Sequence, residues 1–266
     1  SIQKLESLRA SEIPIEDTLA SLLGRFTYER RIFPSVIGGE ARFVFDLEGH
    51  ERAANSISAT LAADCIVANV ECTARDVLRA GAEAGWRRDW TLGNGMIAAV
   101  EGQLAADLYM IGQDNQYASE LTHVTPTAAV EFRWPWSRVT AGGASDVLEP
   151  VMQIAWTDRV GANVANEDSN LVDFDEGNLL SLSRFPAVDR RERGVAAAYG
   201  MNWTRTDPSG WEARLNIGQV IREKANDNFT FTSGLRGTHS DFLIAGQVKT
   251  ANGLNLTART LFDEGL

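Results

Sequence analysis

The sequence predicts an all-β chain, folded as an antiparallel up-and-down transmembrane β-barrel with about ten strands. Three observations predict it. Apolar and polar residues alternate with period two over runs of about 10 to 14 residues, short and long connections take turns along the chain, and tryptophans gather beside the short ones. A strand in a water-soluble sheet usually has roughly 5 or 6 residues, whereas a tilted strand crossing a bilayer needs roughly 9 to 11.

In chain order, Met96, Ala98, Val100, Gly102, Leu104, Ala106 and Leu108 share one face, opposite Glu101, Gln103 and Asp107. Val124, Pro126, Ala128, Val130, Phe132, Trp134 and Trp136 then oppose Thr125, Thr127, Ala129, Glu131 and Arg133. Val195, Ala197, Tyr199, Met201 and Trp203 oppose Ala196, Ala198, Gly200, Asn202 and Thr204. Trp211, Ala213, Leu215 and Ile217 oppose Glu212, Arg214, Asn216 and Gly218, and Leu254, Leu256 and Phe262 oppose Asn255, Thr257 and Arg259. Successive strand residues point to opposite faces, so each run has one oily and one wet side. The polar set Glu101, Gln103, Asp107, Glu131, Arg133, Glu212, Arg214, Asn216 and Arg259 would line a wet lumen. In a soluble protein the same set would face solvent.

Short turns fall at 92–94, 207–210 and 250–253, and intermediate connections at 32–39 and 137–146 share their parity. Long connections fall at 49–76, 110–121, 157–193 and 222–239. Outer-membrane barrels show this asymmetry, with short periplasmic turns and long extracellular loops. Trp86, Trp90, Trp134, Trp136, Trp203 and Trp211 lie on the apolar face near short turns, as an aromatic girdle at one interface would; Trp156 lies toward a long loop. Pro126 and Pro150 fall inside strand patterns, where each removes a ladder donor or marks a strand start. A soluble antiparallel sandwich also alternates and stays open on the pattern alone.

Composition narrows the partners. No run of the 266 residues approaches the roughly 20 apolar residues of a membrane helix, so any membrane crossing uses strands. A formal charge of −11 repels phosphate backbones and argues against nucleic acid. An acidic ligand would have to be held by local Arg or Lys clusters or by bridging cations. The chain opens on Ser1 without a secretory leader, which fits a processed exported protein or a cytosolic one. Cys65 and Cys72 are the two cysteines, and both a local disulfide and two free thiols fit them.

The stretch Asp173, Phe174, Asp175, Glu176, Gly177, Asn178 superficially resembles a calcium loop, but Gly177 stands where an acid is needed and Arg184 occupies the closing position. A solvated acidic loop fits better. His50, His123 and His239 are scattered at loop edges and assemble no triad or metal cluster. No catalytic residue, metal site or cofactor is expected. Arg184, Arg190, Arg191 and Arg193 interleave with Asp189 and Glu192, which reads as a loop folded into a barrel and meeting sugar or phosphate groups, or as an ion-pair network that orders the loop.

The segment 166–193, NEDSNLVDFDEGNLLSLSRFPAVDRRER, is the most specific in the chain. Asn166, Glu167, Asp168 and Ser169, then Asn178 and Leu179, Ser181 and Leu182, Arg184 and Phe185, and Asp189 and Arg190 ahead of Gly194 carry a resemblance to the LptD family, also called OstA, the lipopolysaccharide-assembly proteins of the outer membrane. Arg87 to Leu92, Asp107 to Tyr109 and Val147 to Pro150 are similar to the same family's barrel. The resemblance implies a Gram-negative outer-membrane β-barrel that inserts lipopolysaccharide into the outer leaflet and does no bond chemistry. It implies a very large barrel, of which 1–266 would be a part, without the family's N-terminal periplasmic jellyroll and without assignable gate residues. Implied partners are lipopolysaccharide, outer-membrane lipid, an LptE-like plug lipoprotein and an LptA-like bridge of jellyrolls. The family's interdomain disulfides do not carry over to Cys65 and Cys72. Two other readings stand beside it: a complete ten-stranded barrel such as a surface protease or porin-like protein, and a soluble β-sandwich binding module.

Overall fold

A computed structural model of the chain describes residues 1–6, 9, 12–58, 62–63, 73–169 and 171–263. Cys65 and Cys72 lie outside the described residues. The strands are β1 (Ile2–Lys4), β2 (Ala20–Ile32), β3 (Glu40–Arg52), β4 (Asp76–Thr91), β5 (Ile97–Gly112), β6 (Glu120–Arg133), β7 (Trp136–Val139), β8 (Ser145–Thr157), β9 (Val160–Gly161), β10 (Gly194–Thr206), β11 (Glu212–Arg222), β12 (Phe242–Lys249) and β13 (Asn255–Phe262). They form one antiparallel sheet in which the long strands lie side by side in chain order, an up-and-down meander. β4 and β5 have 16 residues each. At about 3.3 Å per residue they outreach an apolar band about 25 Å tall and lift the loops clear of it.

Connection sizes keep the expected parity. The connections 33–39, 92–96, 134–144, 207–211 and 250–254 leave the sheet at one end, and those that join β3 to β4, β5 to β6, β8 to β10 and β11 to β12 leave it at the other. Half of the stretch 137–146 is strand, because β7 prolongs the β6 line along β8 to a turn at 140–144, in which the Thr140 amide bonds the Ala144 carbonyl at 2.8 Å. The ends of 110–121 are likewise strand, with 113–119 between β5 and β6.

The faces are inverted relative to a water-soluble sheet. On β6, Thr125, Thr127, Ala129 and Glu131 are buried, while Val124, Val130 and Phe132 are exposed. On β5, Ala99, Ala105, Asp107 and Tyr109 are buried while Leu104 is 52% exposed. Met152, Ile154 and Trp156 of β8 continue the apolar surface. Exposed apolar patches on soluble monomers rarely exceed a few hundred Å². Fully burying one such side chain is worth about 1.5–3 kcal/mol, so a surface built of many of them requires an apolar solvent.

Both strand prolines sit on one seam. The Pro126 carbonyl accepts from the Asp158 amide at 3.1 Å, and the Pro150 carbonyl accepts from the Trp134 amide at 3.0 Å. In each of these pairs the proline lacks the N–H that would return the second bond. The β6–β8 register Thr127↔Thr157 to Arg133↔Val151 is bounded by them. Pro126→Ala with Pro150→Ala is expected to add two ladder bonds of about 1 kcal/mol each and to raise the temperature at which the protein loses its compact gel mobility. An unchanged or lowered transition would show that the prolines do not weaken this seam.

Candidate functional site

The polar face of the sheet is covered by its own long loops. Residues 158–193 cross it from the β3–β5 side to β13. On the first side Glu167 accepts from Arg52 Nη2 at 2.8 Å and Arg75 Nη1 at 2.5 Å, and Arg75 Nε also holds Asp114 at 2.7 Å. On the far side Glu176 receives both Arg259 Nε and Nη2, at 2.8 and 2.9 Å. The calcium-like stretch is an internally satisfied turn, in which Asp175 Oδ1 accepts from the amides of Gly177 and Asn178 and Asn178 Nδ2 donates to the Asp173 carbonyl.

Between these fastenings an apolar cluster fixes the loop to β10, β11 and β12. Val172, Phe174, Leu179 and Phe185 of the loop pack with Ala198, Val220, Leu243 and Ala245 of the sheet and with Phe229 and Leu235 of residues 223–241. Phe185 and Phe229 stack with centroids 4.1 Å apart. Gly200 and Gly218 face each other across β10 and β11, and a Cβ on Gly200 would stand 3.0 Å from Leu179 Cδ2. Two glycines thus make the flat seat that Leu179 fills.

Beside this cluster Glu192 lies between Arg184 Nη1 at 2.9 Å and Arg222 Nε at 2.7 Å, all three side chains nearly inaccessible. Burial alone would raise the Glu192 carboxyl, but the charges of Arg184 and Arg222 and their hydrogen bonds outweigh it and hold the group below the ordinary carboxylate range. Glu167 behaves alike, with desolvation overcome by Arg75 and Arg52. Asp168 goes the other way, raised by burial and then by Asp189, Glu48 and Glu167.

The residues that stood out in the sequence as 166–193 converge here. Asp189 accepts from the amides of Glu167 and Asp168 at 2.8 and 3.0 Å and from Ser169 Oγ at 2.5 Å, while Asn166 Oδ1 takes the Ser169 amide at 3.0 Å. Arg190 Nη1 donates to the Val164 carbonyl at 2.7 Å.

The expected inward set shares the face beneath this loop. Asp107 holds Arg79 at 2.7 Å and lies 3.2 Å from His123 Nε2, and Arg79 also reaches Asp46 at 2.5 Å. Glu131 receives Arg87 at 3.1 Å and Arg133 at 2.7 Å, and Arg87 also meets Glu101 at 3.2 Å. Gln103 shares this face, opposite Thr127. Arg214 Nε donates to Glu212 at 2.5 Å, and Asn216 stands opposite Asn202. Arg259 belongs instead to the loop's far fastening. Arg52, Arg75, Arg79 and Arg222 were not singled out from sequence, although Arg79 falls on the polar parity of its strand. Trp86, Trp90, Trp134, Trp136, Trp203 and Trp211 lie toward the short-turn end; Trp86 Nε1 donates to the Gly38 carbonyl at 2.9 Å, and Trp134 and Trp136 meet edge to face at 5.1 Å. His50 lies 3.6 Å from Glu167, and His239 bridges to Ile221. Among the described residues no three His, Cys, Asp or Glu side chains converge as metal ligands.

The family model LptD, described as LPS transport system D, matches residues 15–266. The chain belongs to the LptD family. It is an outer-membrane protein of a family that transports lipopolysaccharide. No curated protein sequence matches this chain. The transport unit of the autotransporter AIDA-I from Escherichia coli is a structural likeness at 9% identity and a TM-score of 0.37, covering 90% of this chain and 79% of that one.

In this LptD-family chain Glu192→Gln leaves Arg184 and Arg222 buried without a counter-charge. It is expected to cost about 3–5 kcal/mol and to open 158–193 to protease; unaltered protection would place the fastening elsewhere. Carboxyls held below their unfolded pKa stabilise fully above it and lose that contribution as pH falls. Loop protection is therefore expected to decline as pH drops below the ordinary Glu value of 4.5, measured by hydrogen exchange across 158–193. Exchange that stays slow well into the acid range would contradict this.

Proposed function

We propose that this region forms part of the wall and the internal covering of an outer-membrane conduit that inserts lipopolysaccharide into the outer leaflet. The observation that carries the reading is the pairing of an apolar outer face with a charged inner face covered by the 158–193 loop. A wall of this kind offers water and fixed charges to a sugar-rich ligand on one side and hydrocarbon to acyl chains on the other. In this reading the outer Trp set is an interfacial girdle and the inner set around Glu131, Gln103 and Asn216 faces the passing saccharide. The region does no bond chemistry.

Among the described residues the β13 edge and β2 beyond Gly24 carry no strand partner on their outer side, and strand edges in hydrocarbon must be paired. We infer that further strands continue the sheet into a larger barrel, served by a jellyroll bridge and a plug lipoprotein.

Depleting the whole protein in a Gram-negative cell is expected to lower newly made lipopolysaccharide at the surface, read by surface labelling. Undiminished surface lipopolysaccharide would rule the reading out. Leu104 and Gln103 are mid-strand neighbours on opposite faces, so Leu104→Arg is expected to cost about 2–4 kcal/mol of membrane-inserted stability and Gln103→Arg little. Equal losses in vesicle refolding would refute the assignment of faces.

A further inference from the structure

The four loop arginines divide into two kinds. Arg184 is neutralised by Glu192, whereas Arg190 and Arg193, with Arg159 beside them, are held mainly by carbonyl oxygens, and Arg191 meets Glu83 at 3.8 Å. Arg190 donates to Val164 and Asp189 carbonyls, Arg193 to the Arg159 carbonyl, and Arg159 to Asn163 Oδ1 and the Asp189 carbonyl. The nearest carboxylates are distant or engaged. Asp158 is 3.6 Å from Arg193, and Glu83 is 3.8 Å from Arg191 while also binding Arg42 at 3.1 Å. Asp189 spends its carboxylate on the loop's own donors. Arg159 is 9% exposed, and neither its buried Nε nor that of Arg191 has a hydrogen-bond partner. Burial, and then Arg193 and Arg190, push the Arg159 guanidinium below its ordinary range, which is the mark of cations crowded without enough counter-charge.

A cavity of about 310 Å³ opens at this place, lined by Ser181, Ser183, Phe185, Val188, Arg190 and Arg191 among others. It combines two guanidinium groups and two hydroxyls in a chain whose overall charge of −11 disfavours anions elsewhere. A planar guanidinium fork matches the oxygens of a phosphate and binds them by charge-assisted hydrogen bonds.

We propose that Arg190 and Arg191, with Ser181 and Ser183, form a phosphate-binding site on the 158–193 loop. Its ligand is a phosphate group, free or carried on lipopolysaccharide, and the second source rests on the transport reading above.

The test uses the whole protein in detergent, titrated with inorganic phosphate by calorimetry. Among the described residues Arg191 donates no hydrogen bond and meets Glu83 at 3.8 Å, so Arg191→Gln gives up that long ion pair and leaves the Glu167, Glu176 and Glu192 fastenings in place; it is expected to weaken phosphate at least tenfold. Ser183→Asp puts a carboxylate in the cavity and is expected to abolish binding, while Arg25→Gln, outside the cavity, is expected to change nothing. Binding that is absent in the unaltered protein, or equal in all variants, overturns the site. In cells, a photo-crosslinker replacing Ser183 is expected to capture lipopolysaccharide, as is one replacing Gln103. Capture at 103 without 183 refutes the lipid-borne ligand and keeps the transport reading. Capture at neither overturns the transport reading, and the phosphate titration then decides the site alone.

Discussion

Hydrocarbon on one side of a single sheet and charge on the other is the constraint from which the remaining features follow. One layer of strands cannot bury Leu104, Val130, Phe132 and Ile154 against a second layer of its own, because the covering loops lie on the opposite face. Lipid supplies the missing layer. Beneath the covering loops the inner-face carboxylates Asp46, Asp107 and Glu131 are buried, and they find partners within the wall. Arg79 bridges Asp46 and Asp107, and Arg87 bridges Glu101 and Glu131, across neighbouring strands. These cross-strand pairs lock the register as well as neutralising charge, since a slip by one residue would turn every one of them into the lipid.

The loop that covers this wall is held by ion pairs on both sides and by apolar packing on one. Over β10 to β12 the contact is apolar and close-packed, with Leu179 seated on Gly200 and Gly218 and Phe185 against Phe229. Over β3 to β5 it is ionic, through Glu167 with Arg52 and Arg75 and through Arg191 near Glu83. Salt screens partly exposed charge pairs over about 8 Å at physiological ionic strength and leaves apolar packing intact. The β10–β12 side, which adds apolar packing to its ion pair, is therefore the anchor, and the β3–β5 side rests on ion pairs. Neither glycine of the anchor can take a side chain in place, because a Cβ on Gly200 would meet the Ile217 carbonyl oxygen and one on Gly218 both Leu179 and the Tyr199 carbonyl oxygen.

Strand direction, face and loop parity were legible from sequence because period-two alternation is written locally: Val124 to Arg133 reads the same whether the sheet is known or not. The 137–146 stretch misled because Pro135 and the glycines Gly142 and Gly143 look like a loop, whereas the β6–β8 register simply runs past the proline to Val139. At the site, Glu131, Glu101 and Asp107 were visible as inward polar residues in oily strands. Arg52, Arg75 and Arg222 were not, since their roles come from carboxylates 115, 92 and 30 residues away. The run Asp189 to Arg193 showed its charges but not their pairing. Only the fold reveals that Asp189 turns back on Ser169 while Glu192 takes Arg184 and Arg222.

That partition of partners bears on transport. A ligand that must move on cannot meet only strong sites, because conduction needs binding favourable enough to enter and weak enough to leave. Carbonyl oxygens carry partial charge, so guanidinium groups held by them keep most of their field for a passing anion, whereas a carboxylate partner such as Glu192 cancels it. The inner wall beneath is built of mutually neutralised pairs and would hold an anion weakly. In an acidic chain, a basic patch whose carboxylate contacts are long, 3.6 Å to Asp158 and 3.8 Å to Glu83, therefore offers a stopping place on a loop facing that wall rather than a continuous basic lining. A phosphate drawn there can depart along a surface that does not compete for it.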